Sequence, residues 1–415
     1  FFRFLQDVLA RSSLEKIKIS GELIEFYHSV RDTLQAFKPL LAKGVNNHNR
    51  KDLMDRLGKA ASEYRQQIYH NGFWGKKRSI SLAGLKTYAQ LFLEYIDHSI
   101  GANRRTDGLY HAYNLIDITD SEVALTRLDE MLEGQVAVLS SGYLNASQAL
   151  EVLTALKQSA LFREDQNSYI LYPNKSLPGF LQKNNIPASA VASSRLLQKM
   201  IEDGNTQIVE RDERGVCHFN GNFKNAADLE QALERLSHGH YATWAAEERT
   251  QILQIFENVF NHKAFTGRSG TFFAYEGLGS IYWHMVSKLL LATQECALKA
   301  LQTGADAALC HNLIERYYDI REGIGVHKSP DVYGAFPTDP YSHTPMHRGA
   351  QQPGMTGQVK EDILARWGEL GVGVEHGCLS FKPTLLKKDE FATAERQVVY
   401  VDVTKEWREI PLAKD

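Results

Sequence analysis

Between Tyr341 and Glu361 the chain reads YSHTPMHRGAQQPGMTGQVKE, gathering His343, His347, Arg348 and the hydroxyls of Thr344 and Thr356 among Pro345, Pro353, Gly349, Gly354 and Gly357. Proline removes backbone donors and fixes φ, so a stretch this broken forms a shaped loop rather than a helix or a central strand. It runs straight into the amphipathic segment QVKEDILARWGEL. Small hydroxyls, cationic side chains and free N–H groups at a helix start suit an anion, because a helix N-terminus carries unpaired donors and partial positive charge. Phosphate is the leading candidate.

Two other loops carry chemistry. In NRRTDGLYHAYN, Asp107 precedes Gly108 beside Arg104, Arg105, Tyr110 and His111. A carboxyl there could serve as a general acid, although Asp-Gly is also an ordinary turn pair, the commoner meaning of that spacing. In TGRSGTFFAYEGLGSIYWHMVSK, Arg268, Tyr275, Glu276, Trp283 and His284 are interleaved with glycines. Aromatic faces beside polar groups hold sugar rings by stacking and by hydrogen bonds to hydroxyls. The alternative is a helix start whose Trp283 belongs to the core. GLGS lacks the Walker lysine and does not fit G-x-G-x-x-G, so no nucleotide loop is indicated. His284 and Lys288 share a helical face but have no third ligand, which argues against a metal site. Glu133 and Gln135 could point into a cavity or lie on a solvated helix, and Asp319 and Arg321 are expected to pair with each other.

The elements that position these loops are mainly helical. LKTYAQLFLEYIDHSI, SEVALTRLDEMLEGQVAVLSS, NASQALEVLTALKQSALF, AADLEQALERLSHG, EERTQILQIFENVFNHK, IYWHMVSKLLLATQECALKALQTG and KEDILARWGELG repeat apolar residues at three-to-four spacing. Asn145 and Gln148 are spaced as a capping box for the helix that buries Leu150, Leu153 and Leu156. Strand signals are few: SYILYP, the hairpin TQIVERDERGVCHFNG with its Glu-Arg-Gly turn, CLSFKPTLL and QVVYVDVT. Paired helices followed by a strand-rich tail suggest an α-barrel of helical hairpins with a β-domain beginning near Leu379, and the hairpin around Asp212 reads as part of an insertion.

Composition bounds the function. The 415 residues are 43% hydrophobic and 23% charged, enough for a large core and more than one structural unit. A formal net charge of −3 and a pI near 6.6 give no electrostatic case for nucleic acid, and no segment reaches the ~20 apolar residues of a membrane span. Cys217, Cys296, Cys310 and Cys378 are widely separated, so neither a zinc site nor a disulfide framework is indicated and a cytoplasmic setting fits. The opening FFRFLQDVLARS reads as the middle of a helical protein, and a truncated chain is expected.

The segments NRRTDGLYHAYNL, EMLEGQVAVLSSGYL, FFAYEGLGSIYWHMVSKLLLA and YGAFPTDPYSHTPMHRGAQQPGMTGQVKEDILARWGELGV resemble the catalytic part of large β-glucan phosphorylases acting on β-1,3-glucooligosaccharides. More distantly, the chain is similar to cellobiose and chitobiose phosphorylases. The similarity runs from about Phe73 to the C-terminal strands, and Pro-Gly-Met-Thr-Gly is its most specific part. The cellobiose kind carries its catalytic acid in a Trp-Asn-Asp-Gly turn, which the resemblance maps onto Asp107-Gly108, here preceded by Arg105 and Thr106. Those relatives bind phosphate through a Thr-Gly pair opening a late barrel helix, matched by Thr356-Gly357, and through an upstream histidine, assigned to His343 with His347 close behind. Arg348 joins this group. Arg105, Tyr110, Arg268, Glu276, Trp283 and His284 are the implied substrate contacts.

The implied fold is an N-terminal β-sandwich, a helical linker, an (α/α)6 barrel and a C-terminal β-domain. On that basis residues 1–70 are linker or early barrel and residues 71–378 are the barrel, incomplete at its N-terminus, with an α/β insertion at about 162–245. Residues 379–415 begin the β-domain. The implied activity is that of an inverting phosphorylase (EC 2.4.1 class), with no cofactor, inorganic phosphate as co-substrate and room for a homodimer. One neutral carboxyl protonates the glycosidic oxygen while phosphate attacks the opposite face, so no second carboxylate is needed as base. An inverting (α/α)6 hydrolase would need one, and Glu276 or Glu133 could supply it. A non-catalytic glycan-binding fragment and a nucleotide-sugar transferase are weaker alternatives.

Overall fold

In the computed structural model, residues 1–174, 178–261, 281–324, 343–344, 359–375 and 377–412 are described. They are mainly helical, with small two-stranded antiparallel sheets. Two compact units emerge: Phe1–Val138 with Gln158–Leu161 and Ile170–Ser280, and Leu139–Lys157 with Phe162–Tyr169 and Ile281–Asp415. No helix among the described residues is long and apolar enough to cross a membrane.

In the first unit, the helices Gly21–Phe37, Asn47–Asn71 and Leu82–Ala102 bury Val30, Leu34, Ala60 and Leu91 against one another. Each begins at a side-chain cap that takes one of the orphan N–H groups: Ser20 Oγ accepts from Leu23, Asn46 Oδ1 from Asn49 and Ser81 Oγ from Gly84. Strand content exceeds the sequence expectation. Lys16–Ser20 pairs with Lys77–Ser81, and Asn114–Ile118 pairs with Val123–Arg127. The second pair corrects the helix expected over SEVALTRL. Val123 and Leu125 alternate with a period of two, and the strand upstream supplies the hydrogen-bond partner that fixes the extended form.

Residues 178–261 hold a core of their own, in which Leu196, Leu197, Met200, Phe219, Leu229, Leu233, Phe256 and Phe260 are buried together. The expected hairpin is Val209–Arg211 paired with Cys217–Phe219. Its turn closes because Asp212 Oδ1 accepts from the N–H groups of Arg214 and Val216, and Gly215 takes φ +81°. Buried Asn184 fastens the hairpin by donating to the Phe219 carbonyl at 2.7 Å and accepting from the Phe219 N–H at 2.9 Å.

The second unit contains the helix Ala146–Gln158, opened by the capping box read from the sequence: Asn145 N donates to Gln148 Oε1 at 3.0 Å, and Gln148 N to Asn145 Oδ1 at 2.9 Å. Trp283–Gln302 packs on Ala307–Glu322 and on Val359–Glu369. Gln294, buried, crosses the second of these contacts to donate to the Ala365 carbonyl at 2.7 Å. The far end of Val359–Glu369 is pinned by Glu369, which accepts from Tyr317 Oη at 2.6 Å and pairs with Arg366 at 2.5 Å and Arg321 at 3.2 Å. Asp319 and Arg321 therefore do not pair with each other; Asp319 takes Lys157 at 2.9 Å instead. Residues two apart on a helix point about 200° apart, so each meets a different neighbour. The tail forms two hairpins, Val372–Glu375 with Cys378–Phe381 and Arg396–Val401 with Trp407–Leu412.

Candidate active site

After the helix Leu82–Ala102 the chain folds back on itself over residues 103–111. Arg105 N donates to the Leu109 carbonyl at 2.8 Å, His111 N donates to Asn103 at 2.9 Å, and Gly108 takes φ +85°, a conformation open to glycine at little cost. Leu109 and Tyr110 anchor the fold-back at 1% and 4% exposure, leaving Asp107 exposed at its tip. Asp107 Oδ1 accepts from the Leu109 N–H at 3.1 Å, so the side chain does build the turn. Arg105 grips both oxygens, with Nη2 at 2.8 Å from Oδ2, and also reaches Glu130 at 3.2 Å. The guanidinium holds the Asp107 carboxyl below its ordinary range, with the Leu109 N–H adding to the effect. In this state Asp107 is a clasped carboxylate rather than a poised proton donor.

Tyr110 is buried and is one of the residues lining a cavity beside the turn. A residue read from the sequence as facing a cavity or solvent holds its backbone. Gln135, fully buried, accepts from the Tyr110 N–H at 2.9 Å and donates to the Tyr110 and Met131 carbonyls at 2.8 and 2.9 Å. Gly134 lets the two segments approach, since a Cβ there would meet the Ala112 Cβ at 3.0 Å and the Tyr110 carbonyl at 3.2 Å. NRRTDGLYHAYNL and EMLEGQV are thus one folded piece. A cavity of about 630 Å³ lies beside it, and Phe92, Tyr95, Tyr113 and Glu133 are among its walls. Glu133 Oε2 accepts from Tyr113 Oη at 3.0 Å.

The second unit assembles a different set. The two-residue strand Ile281–Tyr282 pairs antiparallel with His343–Thr344, setting the backbone of His343 opposite Tyr282 and that of Thr344 opposite Ile281. The strand leads at once into the helix that carries Trp283 and His284. Trp283 is 1% exposed. His284 Nδ1 stands 3.4 Å from Tyr282 Oη, and its Nε2 stands 3.5 Å from Oε1 of Glu361 in the first turn of Val359–Glu369. That helix follows Thr356-Gly357 directly in sequence. Glu361 is 3% exposed, and its Oε2 is buried without a hydrogen-bond partner among the described residues, as are His284 Nε2 and Ser287 Oγ. Arg268, Glu276, Arg348, Thr356 and Gly357 lie outside the described residues, and of His343 only the backbone is described.

Residues 177–263 match the family described as GH149 phosphorylase insertion domain 2, overlapping the segment read from the sequence as an insertion. No curated protein matches the chain. The matched segment is the one with its own core around Phe219 and Phe256. It supports a glycoside phosphorylase of the GH149 type, and with it a place in carbohydrate metabolism.

Proposed function

We infer that the chain catalyses inverting phosphorolysis of β-glucosidic bonds in β-glucooligosaccharides, with β-1,3 linkages preferred. The match of residues 177–263 to a phosphorylase insertion domain carries this reading. The glycosidic C–O bond breaks as its oxygen takes a proton from Asp107. A phosphate oxygen forms the new bond at the opposite face of the anomeric carbon, giving α-glucose 1-phosphate and a glucan one residue shorter. Asp107 can give a proton only after Arg105 lets go of it, so substrate entry is coupled to opening of the Arg105 clasp. Thr356, the Gly357 N–H, His343 and Arg348 hold phosphate in line without neutralising it. Arg268, Glu276 and His284 meet the sugar, as does Arg105 once released. An (α/α)6 barrel followed by a β-domain is the scaffold this assignment implies.

The test is the product mixture from laminaribiose, longer β-1,3-glucans and cellobiose, each with and without inorganic phosphate. Glucose 1-phosphate appearing only when phosphate is present supports the reading. Free glucose released equally in both conditions makes the protein a hydrolase.

A further inference from the structure

Tyr282, His284 and Glu361 form a chain of polar groups, of which the mechanism above uses His284 alone. Glu361 sits in the first turn of its helix, where the helix dipole favours a carboxylate. It lies at 3% exposure with Oε1 turned to His284 Nε2 at 3.5 Å and to Lys360 Nζ at 3.5 Å, and Asp362 follows it in sequence. The other imidazole nitrogen, Nδ1, is 3.4 Å from Tyr282 Oη, and the Tyr282 backbone is paired with His343. A buried carboxylate facing one ring nitrogen makes that nitrogen the donor and leaves the other to accept, which is how a second partner sets a histidine tautomer. Both separations are longer than an ordinary hydrogen bond.

We propose that Glu361 is a positioning residue: it fixes His284 with its proton on Nε2, so that Nδ1 orients the Tyr282 hydroxyl at the strand that carries His343. The catalytic part of this proposal rests on the phosphorylase reading, in which that strand and the start of the Val359–Glu369 helix hold phosphate. The link between Glu361 and the tautomer does not. A carboxylate this buried, with one oxygen unpartnered among the described residues, is costly to keep for packing alone.

The test uses the full chain with Glu361→Gln and Glu361→Leu, read in two ways. In the first, ¹⁵N-histidine NMR, with His284→Asn used for assignment, should show the Nε2–H form of His284 in the wild type and in Glu361→Gln, whose amide oxygen can still accept. Glu361→Leu should lose that form. In the second, Glu361→Leu should raise the phosphate KM about tenfold, the equivalent of one hydrogen bond at ~1.4 kcal/mol per decade, and by more than it raises the glucan KM through His284, while Glu361→Gln recovers most of the loss. Circular dichroism of each variant reports folding, and Glu361→Gln keeps the test decisive should the leucine variant unfold. An Nδ1–H form in the wild type, a tautomer unchanged in Glu361→Leu, or a phosphate KM equal in all three proteins overturns the proposal. If the wild type releases no sugar phosphate, the phosphorylase reading fails by itself, and the NMR result alone decides whether Glu361 positions His284.

Discussion

At the scale of single residues, the ion pair of Arg105 with Asp107 decides what the proposed acid can do. An acid must be protonated to act, so its activity falls as pH rises through its pKa. Arg105 lowers that pKa, which places the alkaline limb of kcat/KM at a lower pH than a free carboxyl would give. Arg105→Gln should therefore move this limb to higher pH, whatever it does to the amplitude. A limb that stays in place removes Asp107 from the acid role. Asp107→Asn should reduce phosphorolysis by ~10²–10⁴-fold with the fold intact, because a general acid contributes about that much and the side chain is exposed at a turn tip. Thr356→Val, in the segment assigned to phosphate, should raise the phosphate concentration for half-maximal rate about ten- to hundredfold and leave the glucan's unchanged.

At the scale of elements, Gln135 and Gly134 position the Asp107 turn. Gln135→Leu removes the side chain that bonds both the Tyr110 N–H and its carbonyl and should destabilise the protein by ~2–4 kcal/mol, read as a lower denaturation midpoint at unchanged slope. Gly134→Ala crowds the Ala112 Cβ; Ala112→Gly in the same chain should recover part of that loss, the two sites being in contact and hence non-additive. Local signals of this kind were legible: the Asn145–Gln148 box and the Asp212–Gly215 turn were each written in a few neighbouring residues. What a window of sequence does not contain is the partner. Val123–Arg127 took helical spacing on paper because its pairing strand lies upstream, beyond a turn. Gln135 looked like any residue of a helix until Tyr110 was set against it. Glu361 and His284 meet across two helices, and nothing in either segment announces the other. Tyr110 and Trp283 are both buried, and an aromatic residue beside a loop reads alike in sequence whether it faces a ligand or the core.

At the scale of the whole molecule, the four free cysteines report on the packing. Cys217 and Cys310 are buried, burial pushes the Cys296 thiol up to about 11, and Cys378 is exposed. At pH 8 an alkylating agent should label Cys378 first, with Cys296 slow because only about 0.1% of such a thiol is thiolate there; peptide mass spectrometry reads the order. Residues 178–261, with a closed core of their own, should fold when expressed alone, giving a helical spectrum and a cooperative melt. The hairpin of Arg396–Val401 with Trp407–Leu412 has the opposite character, for every residue in both strands is exposed. Pro411 and the charges of Arg408 and Glu409 interrupt one strand, but QVVYV has no proline and no charge, and among the described residues its other edge is open. Such an edge is a template on which another extended chain can add itself, so the colloidal behaviour of this protein rests on five residues remote from its chemistry. Val399→Lys should lower light scattering at high concentration without altering the circular dichroism of the helices.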